Sequence, residues 1–150
     1  RRTEARRVRV IRVVVGHICS GKTTYVLAHS KPGDVIIDMD RLAMAMSHEQ
    51  TPDHGFGEHA RAIAKDARWA AIVSAIDIHR RDALGNKDAS FDVWIVHAYP
   101  TQEDERMYWM ADAKIVRIEA SADELVRRAS TQRPKRCLDE LLKRLGASDR

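Results

Sequence analysis

At 150 residues, with 44% hydrophobic residues but only 7 Gly and 4 Pro, the chain can bury one core but not two, and a single domain over 1–150 is expected. No stretch approaches the roughly 18 consecutive apolar residues of a membrane span and nothing at the N-terminus resembles a signal peptide, so the expectation is a cytoplasmic protein with no membrane partner. A net charge of +4 and a pI near 9.3 favour anionic partners, without separating a nucleoside triphosphate from a polynucleotide.

The chain begins with a basic arm over 1–7, whose charge Arg9 and Arg12 continue. Val8 to Val15 is apolar and β-branched enough for a buried strand. Directly after it, Gly16-His17-Ile18-Cys19-Ser20-Gly21-Lys22-Thr23 satisfies the complete pattern G-x-x-x-x-G-K-[ST]. Such a loop works when a strand delivers the backbone into a tight turn and a helix leaves it, aiming unpaired N–H groups at an anion. Thr23 to His29 supplies that helix. The expectation is an ATP site over Gly16 to Thr24, with Lys22 on the triphosphate and Thr23 on Mg²⁺.

Behind the turn signal Lys31-Pro32-Gly33, Asp34 to Asp38 reads as a short strand, and Arg41 to Met46 as a short helix. Residues 47–57 have no clean periodicity and read as a loop. A long amphipathic helix follows from Glu58 to about Arg81, its apolar side drawn from Ile63, Ala67, Ala70, Ala71 and Val73 to Ile78, with Gly85 and Asn86 ending the segment. Val93 to Ala98, stopped by Pro100, and Lys114 to Ile118 are two more strands. Ser121 caps a helix through Ala129 with Glu124 completing a capping box, and a last helix from Cys137 to Leu145 stops at Gly146. Four strands alternating with helices predict an α/β fold, a parallel sheet covered on both faces with ligands at the carboxyl ends of its strands.

Phosphoryl transfer needs positioning, charge neutralisation and a carboxylate for the attacking hydroxyl. Asp38 and Asp40, at the tip of the second strand, share a face if the strand runs that far, so that one could take the acceptor while the other serves Mg²⁺. Asp40 could equally be the N-cap of the helix from Arg41. Arg127, Arg128, Arg133, Lys135 and Arg136 form a late basic group in a segment that suits a flexible lid; Arg128 and Arg133 are the candidates for clamping phosphate oxygens, against a solvated helix end as the alternative. The spacing of His48, His54 and His59 matches no structural zinc pattern, and neither do Cys19 and Cys137, which also make no disulfide framework. Cys19 reads as a small residue at a variable loop position. His97 stands at the carboxyl edge, where a core role outweighs a substrate contact. Its strand has no aspartate at the tip, which favours a kinase over a motor-type ATPase.

The loop Gly16 to Thr24, the segment Val35-Ile36-Ile37-Asp38-Met39-Asp40-Arg41 and the late arginines resemble the P-loop kinase superfamily, particularly the bacteriophage polynucleotide kinase branch and similar small phage or actinobacterial ATP-binding proteins. The resemblance implies a sheet in the order 2-3-1-4, an ATP site on the loop, an acceptor hydroxyl held by an aspartate after the second strand, matched by Asp40, and an arginine-bearing lid. That branch places an arginine three residues after its aspartate; here Ala43 occupies the position and Arg41 stands nearer. The function expected is transfer of a γ-phosphoryl group from ATP to a hydroxyl, on a polynucleotide 5′ end or a nucleoside-like molecule. The alternatives are a nucleotide-binding module with weak hydrolysis and a kinase of an antibiotic or sugar-nucleotide.

Overall fold

The computed structural model of the chain describes residues 9–85 and 91–148. A parallel sheet of four strands in the order β2-β3-β1-β4 forms its centre, with β1 at Ile11–Val15, β2 at Val35–Ile37, β3 at Val93–His97 and β4 at Lys114–Arg117. Inner strands of a parallel sheet are covered on both faces and must be apolar along their length. β3 is buried throughout, and in β1 only Arg12 is not. The edge strand β4 can afford Lys114 and Arg117 on the surface. Val8, the expected start of the first strand, lies outside the described residues, as does the arm 1–7.

The helices are α1 at Lys22–His29, α2 at Met39–Ala45, α3 at Glu58–Gly85, α4 at Gln102–Met110, α5 at Ala122–Gln132 and α6 at Lys135–Ser148. Side chains alternate across a strand, so β1 and β3 feed two cores. Ile11, Val13, Val15, Val93 and Ile95 pack with Ile72, Ala75 and Ile76 of α3 and Tyr108 of α4. Val14, Trp94 and Val96 pack with Val26 of α1 on the opposite face. Truncating a residue such as Ile72, 1% exposed, to Ala costs about 2–5 kcal/mol. A smaller cluster of Leu125, Ala129 and Leu141 holds α5 against α6, with Cys19 packed on it. None of the helices among the described residues is long and apolar enough to cross a membrane.

Several expected boundaries shift, each for a local reason. Strand β2 stops at Ile37, because Asp38 turns to cap α2, and Asp34 uses its carboxylate to accept from Asp92 N and Trp94 Nε1. On α3 the buried stripe is Ala64, Ile72, Ala75 and Ile76, whereas Ile63, Val73 and Ile78 are 59%, 46% and 44% exposed. A helix this long carries apolar residues on more than one side, and the sheet takes only one. Helix α4 has no counterpart in the sequence-derived order; its mark is the capping box Thr101 to Asp104, both halves of which are formed. Only half of the box expected at Ser121 forms: Ser121 Oγ accepts from Glu124 N, but the Glu124 carboxylate turns to Arg127 and Arg128. α5 runs on to Gln132, and α6 passes through Gly146 to Ser148.

Candidate functional site

Val15 pairs with His97 and Ile37 with Ile95, so the carboxyl ends of β1, β2 and β3 open on one edge of the sheet. There the loop 16–23 turns back on itself. A Cβ at Gly16 would collide with the Ile118 carbonyl oxygen and lie 2.6 Å from Ser20 Oγ, so only glycine fits the approach to the neighbouring strand. Ser20 N donates to His17 O at 3.1 Å. Cys19 and Gly21 adopt left-handed φ angles of 65° and 96°. For Gly21 this is free; for Cys19 it costs strain, which gives this position a demand beyond small size. Gly21 precedes α1, and no side chain caps that helix, leaving its first-turn N–H groups for another acceptor. Ile18 N donates to Tyr99 Oη at 3.4 Å, and His17 Nδ1 stands 3.3 Å from the same oxygen.

Lys22 is 9% exposed and donates from Nζ to His17 O at 2.6 Å. Burial first, and the nearby charge of Arg133 second, lower its pKa to about 8. A cation held out of water this way is poised for an anion. Thr24 is exposed at the mouth of the loop.

Asp38, 4% exposed, serves two partners: Oδ2 accepts from Thr23 Oγ1 at 2.7 Å, and Oδ1 accepts from Asp40 N at 3.0 Å. The second bond makes Asp38 the N-cap of α2. The cap reading of Asp40 is therefore corrected: the helix starts two residues earlier than expected and Asp40 sits in its first turn. The expected sharing of a strand face fails for the same reason, yet the two carboxylates remain neighbours. Asp40 Oδ2 accepts from Arg133 Nη1 at 2.6 Å, and His54 Nδ1 lies 3.4 Å from it. His54 thus stands with Arg133 and Asp40 rather than with His48 or His59.

The late arginines divide. Arg128 bridges α5 to the loop, donating from Nη1 to Cys19 O at 3.1 Å and from Nε to Glu124 Oε1 at 2.7 Å. Arg127 faces out in a two-bond fork on Glu124, the larger cause that, with Arg128, holds that carboxylate down to about 2. Arg136 lies over the Phe56 ring at 5.2 Å. The segment expected to be a loose lid is helical to Gln132, and its non-helical part is Arg133 and Pro134. Arg133 is extended, as a residue before proline prefers.

Lys22, Asp38, Asp40, His54, Arg128 and Arg133 line one cleft of about 1310 Å³, which carries eight cationic side chains against four carboxylates. The excess of positive charge suits a polyanion. Sequence reasoning missed Tyr99 under the loop and the basic face Arg61, Lys65 and Arg68 of α3, which a search for charge at helical spacing would have found. His97 is buried with Nδ1 2.8 Å from Tyr108 Oη; burial, and then Arg68, lower its pKa to about 4, so it is neutral. Arg12 belongs elsewhere: it is paired with Asp92 at 2.7 Å and lies over Trp94 at 4.7 Å, at the amino end of β1.

Thr23 Oγ1 and Asp38 Oδ2 are hard oxygen donors side by side, the chemistry that suits Mg²⁺ when phosphate oxygens and water complete its shell. Among the described residues no group of three or more His, Cys, Asp or Glu gathers to hold an ion alone. No protein-family model matches the sequence. No curated protein matches it significantly.

Proposed function

We propose that the chain is an ATP- and Mg²⁺-dependent phosphotransferase of the P-loop kinase type, acting on the hydroxyl of a polynucleotide 5′ end or a nucleoside-like molecule. The observation that carries this reading is the 2.7 Å bond from Thr23 to Asp38, which ties the first turn of the phosphate-loop helix to the carboxylate pair that ends β2. Loop N–H groups and Lys22 take the triphosphate. Thr23 and Asp38 would hold Mg²⁺, which supplies charge neutralisation on the β and γ oxygens. Asp40 orients the acceptor and takes its proton as the acceptor oxygen bonds to the γ-phosphorus; the bond to the β,γ-bridging oxygen breaks, and ADP leaves. Arg128 and Arg133 stand over the loop to meet the charge on the transferring group.

A second reading, a kinase of a compact acceptor such as an antibiotic or sugar-nucleotide, draws support from Arg12, whose commitment to Asp92 removes it from any polynucleotide track. A γ-labelled ATP screen across 5′-hydroxyl oligonucleotides, nucleosides and small hydroxyl compounds tests both. Label moving to an oligonucleotide supports the first reading, and label moving only to small acceptors supports the second. Label released to water alone indicates a nucleotide-binding module with weak hydrolysis.

A further inference from the structure

Ala64, Arg68 and Ile72 follow one another at four-residue spacing, so Arg68 occupies the inward register of α3 between two residues that are 0% and 1% exposed. An arginine there ordinarily meets a carboxylate. This one does not: its Nε is buried without a hydrogen-bond partner, and no described residue forms an ion pair with it. It lines the cleft beside the His97–Tyr108 pair, and both of those groups are neutral. The closest carboxylate to that pair, Asp104, is 3.8 Å from His97 Nε2 and already accepts from Thr101 N and Oγ1. Lys65 and Arg61 continue the cleft face one and two turns away, about 10 Å from end to end. Arg61 has a loose contact with Glu58 at 3.6 Å, and Lys65 has no ion pair among the described residues.

Resting on the proposed reading of the cleft as a nucleotide and acceptor site, we infer that this face of α3 is a second anion subsite, in which Arg68, with Lys65 and Arg61, holds a phosphate group carried by the acceptor. A guanidinium Nε shut off from water with no partner is costly unless a ligand supplies an acceptor, and the half-buried group's fork offers parallel donors to two oxygens. Three cations on one face match a dianion; a single carboxylate needs only one. The subsite draws on α3, and the triphosphate loop on Lys22 and α1, along the same cleft. It makes an acceptor bearing a phosphate, besides its reacting hydroxyl, the preferred substrate class.

The test uses inorganic phosphate as probe, followed by calorimetry and thermal shift, on the full chain saturated with Mg²⁺ and a non-hydrolysable ATP analogue, and separately on Lys22→Ala without nucleotide. Phosphate should bind and stabilise both. Arg68→Met should weaken that binding about tenfold or more, the worth of one charge-assisted hydrogen bond, and in phosphate-free buffer melt no lower than wild type, since a buried donor without a partner has been removed. Lys65→Gln should weaken it less. No phosphate binding in either background, or binding that Arg68→Met leaves unchanged, overturns the subsite. The two backgrounds keep its failure distinct from failure of the loop: an analogue that does not bind wild type counts against the nucleotide reading, while phosphate binding to Lys22→Ala still reports on Arg68.

Discussion

Arg133 and Asp40, 93 positions apart in the chain, meet at 2.6 Å. Their side chains are 21% and 30% exposed, and the same Arg133 nitrogen stands 2.6 Å from His54 Nδ1. The carboxylate proposed to receive the acceptor is thus held by an arginine proposed to meet the transferring phosphate. In the proposed reaction acceptor binding displaces Arg133 from Asp40, and the freed guanidinium is already on the cleft wall near Lys22.

Asp40→Asn separates chemistry from folding. Asp38, not Asp40, caps α2, and Asn keeps a side-chain oxygen to accept from Arg133, so the variant should melt close to wild type and bind ATP normally. Its transfer rate should fall about 10²–10⁴-fold, as expected for loss of a general base. A variant that melts substantially lower and keeps its rate makes Asp40 structural and Asp38 the better candidate.

Asp38→Asn keeps a side-chain oxygen for Asp40 N, and Asn caps helices as well as Asp does, so circular dichroism should show a nearly unchanged melt. The carboxylate facing Thr23 is lost. The Mg²⁺ concentration for half-maximal ATP turnover should rise about 10–100-fold.

Lys22, lowered to about 8, carries its charge at pH 7 and loses it as pH rises through about 8 in the free protein. A bound triphosphate favours the charged form and raises this pKa, so binding takes up a proton. Calorimetry in buffers of different ionisation enthalpy should find uptake of about half a proton at pH 8 and little at pH 6.5. Lys22→Arg should abolish the uptake. For stability the sign is opposite to that of a salt-bridged lysine: between about 8 and 10.5 the unfolded chain binds more protons, so Lys22's contribution to stability rises with pH across that window.

Gly16→Ala places a methyl group against the Ile118 carbonyl and Ser20 Oγ. Backbone must shift, at about 1–3 kcal/mol for an overpacked site. Nucleotide affinity should fall while the helical circular dichroism signal persists.

Much of this was legible because it is local. The loop from Gly16 to Thr23 is one contiguous stretch, and the inner strands announce themselves by unbroken burial of Val13 to Val15 and Val93 to His97. What escaped was tertiary. Nothing near Arg133 in the sequence points to Asp40 or His54, and nothing near Arg68 points to His97. Asp38 and Asp40 exchanged the capping role because two acidic positions on either side of Met39 compete for one helix start, and only the backbone turn after Ile37 decides. Helix α4 gathers its apolar residues, Met107 to Met110, in one contiguous run at its end, so its periodicity is weak and its Thr101 cap was the better signal.

The most direct measurement is acceptor-dependent ADP release from Mg²⁺–ATP by wild type, Lys22→Ala and Asp40→Asn side by side. Release should rise with a hydroxyl acceptor in wild type, fall by about a hundredfold or more in Lys22→Ala, and no longer respond to acceptor in Asp40→Asn. ADP release that no acceptor accelerates, or that Lys22→Ala leaves unchanged, contradicts the phosphotransferase reading.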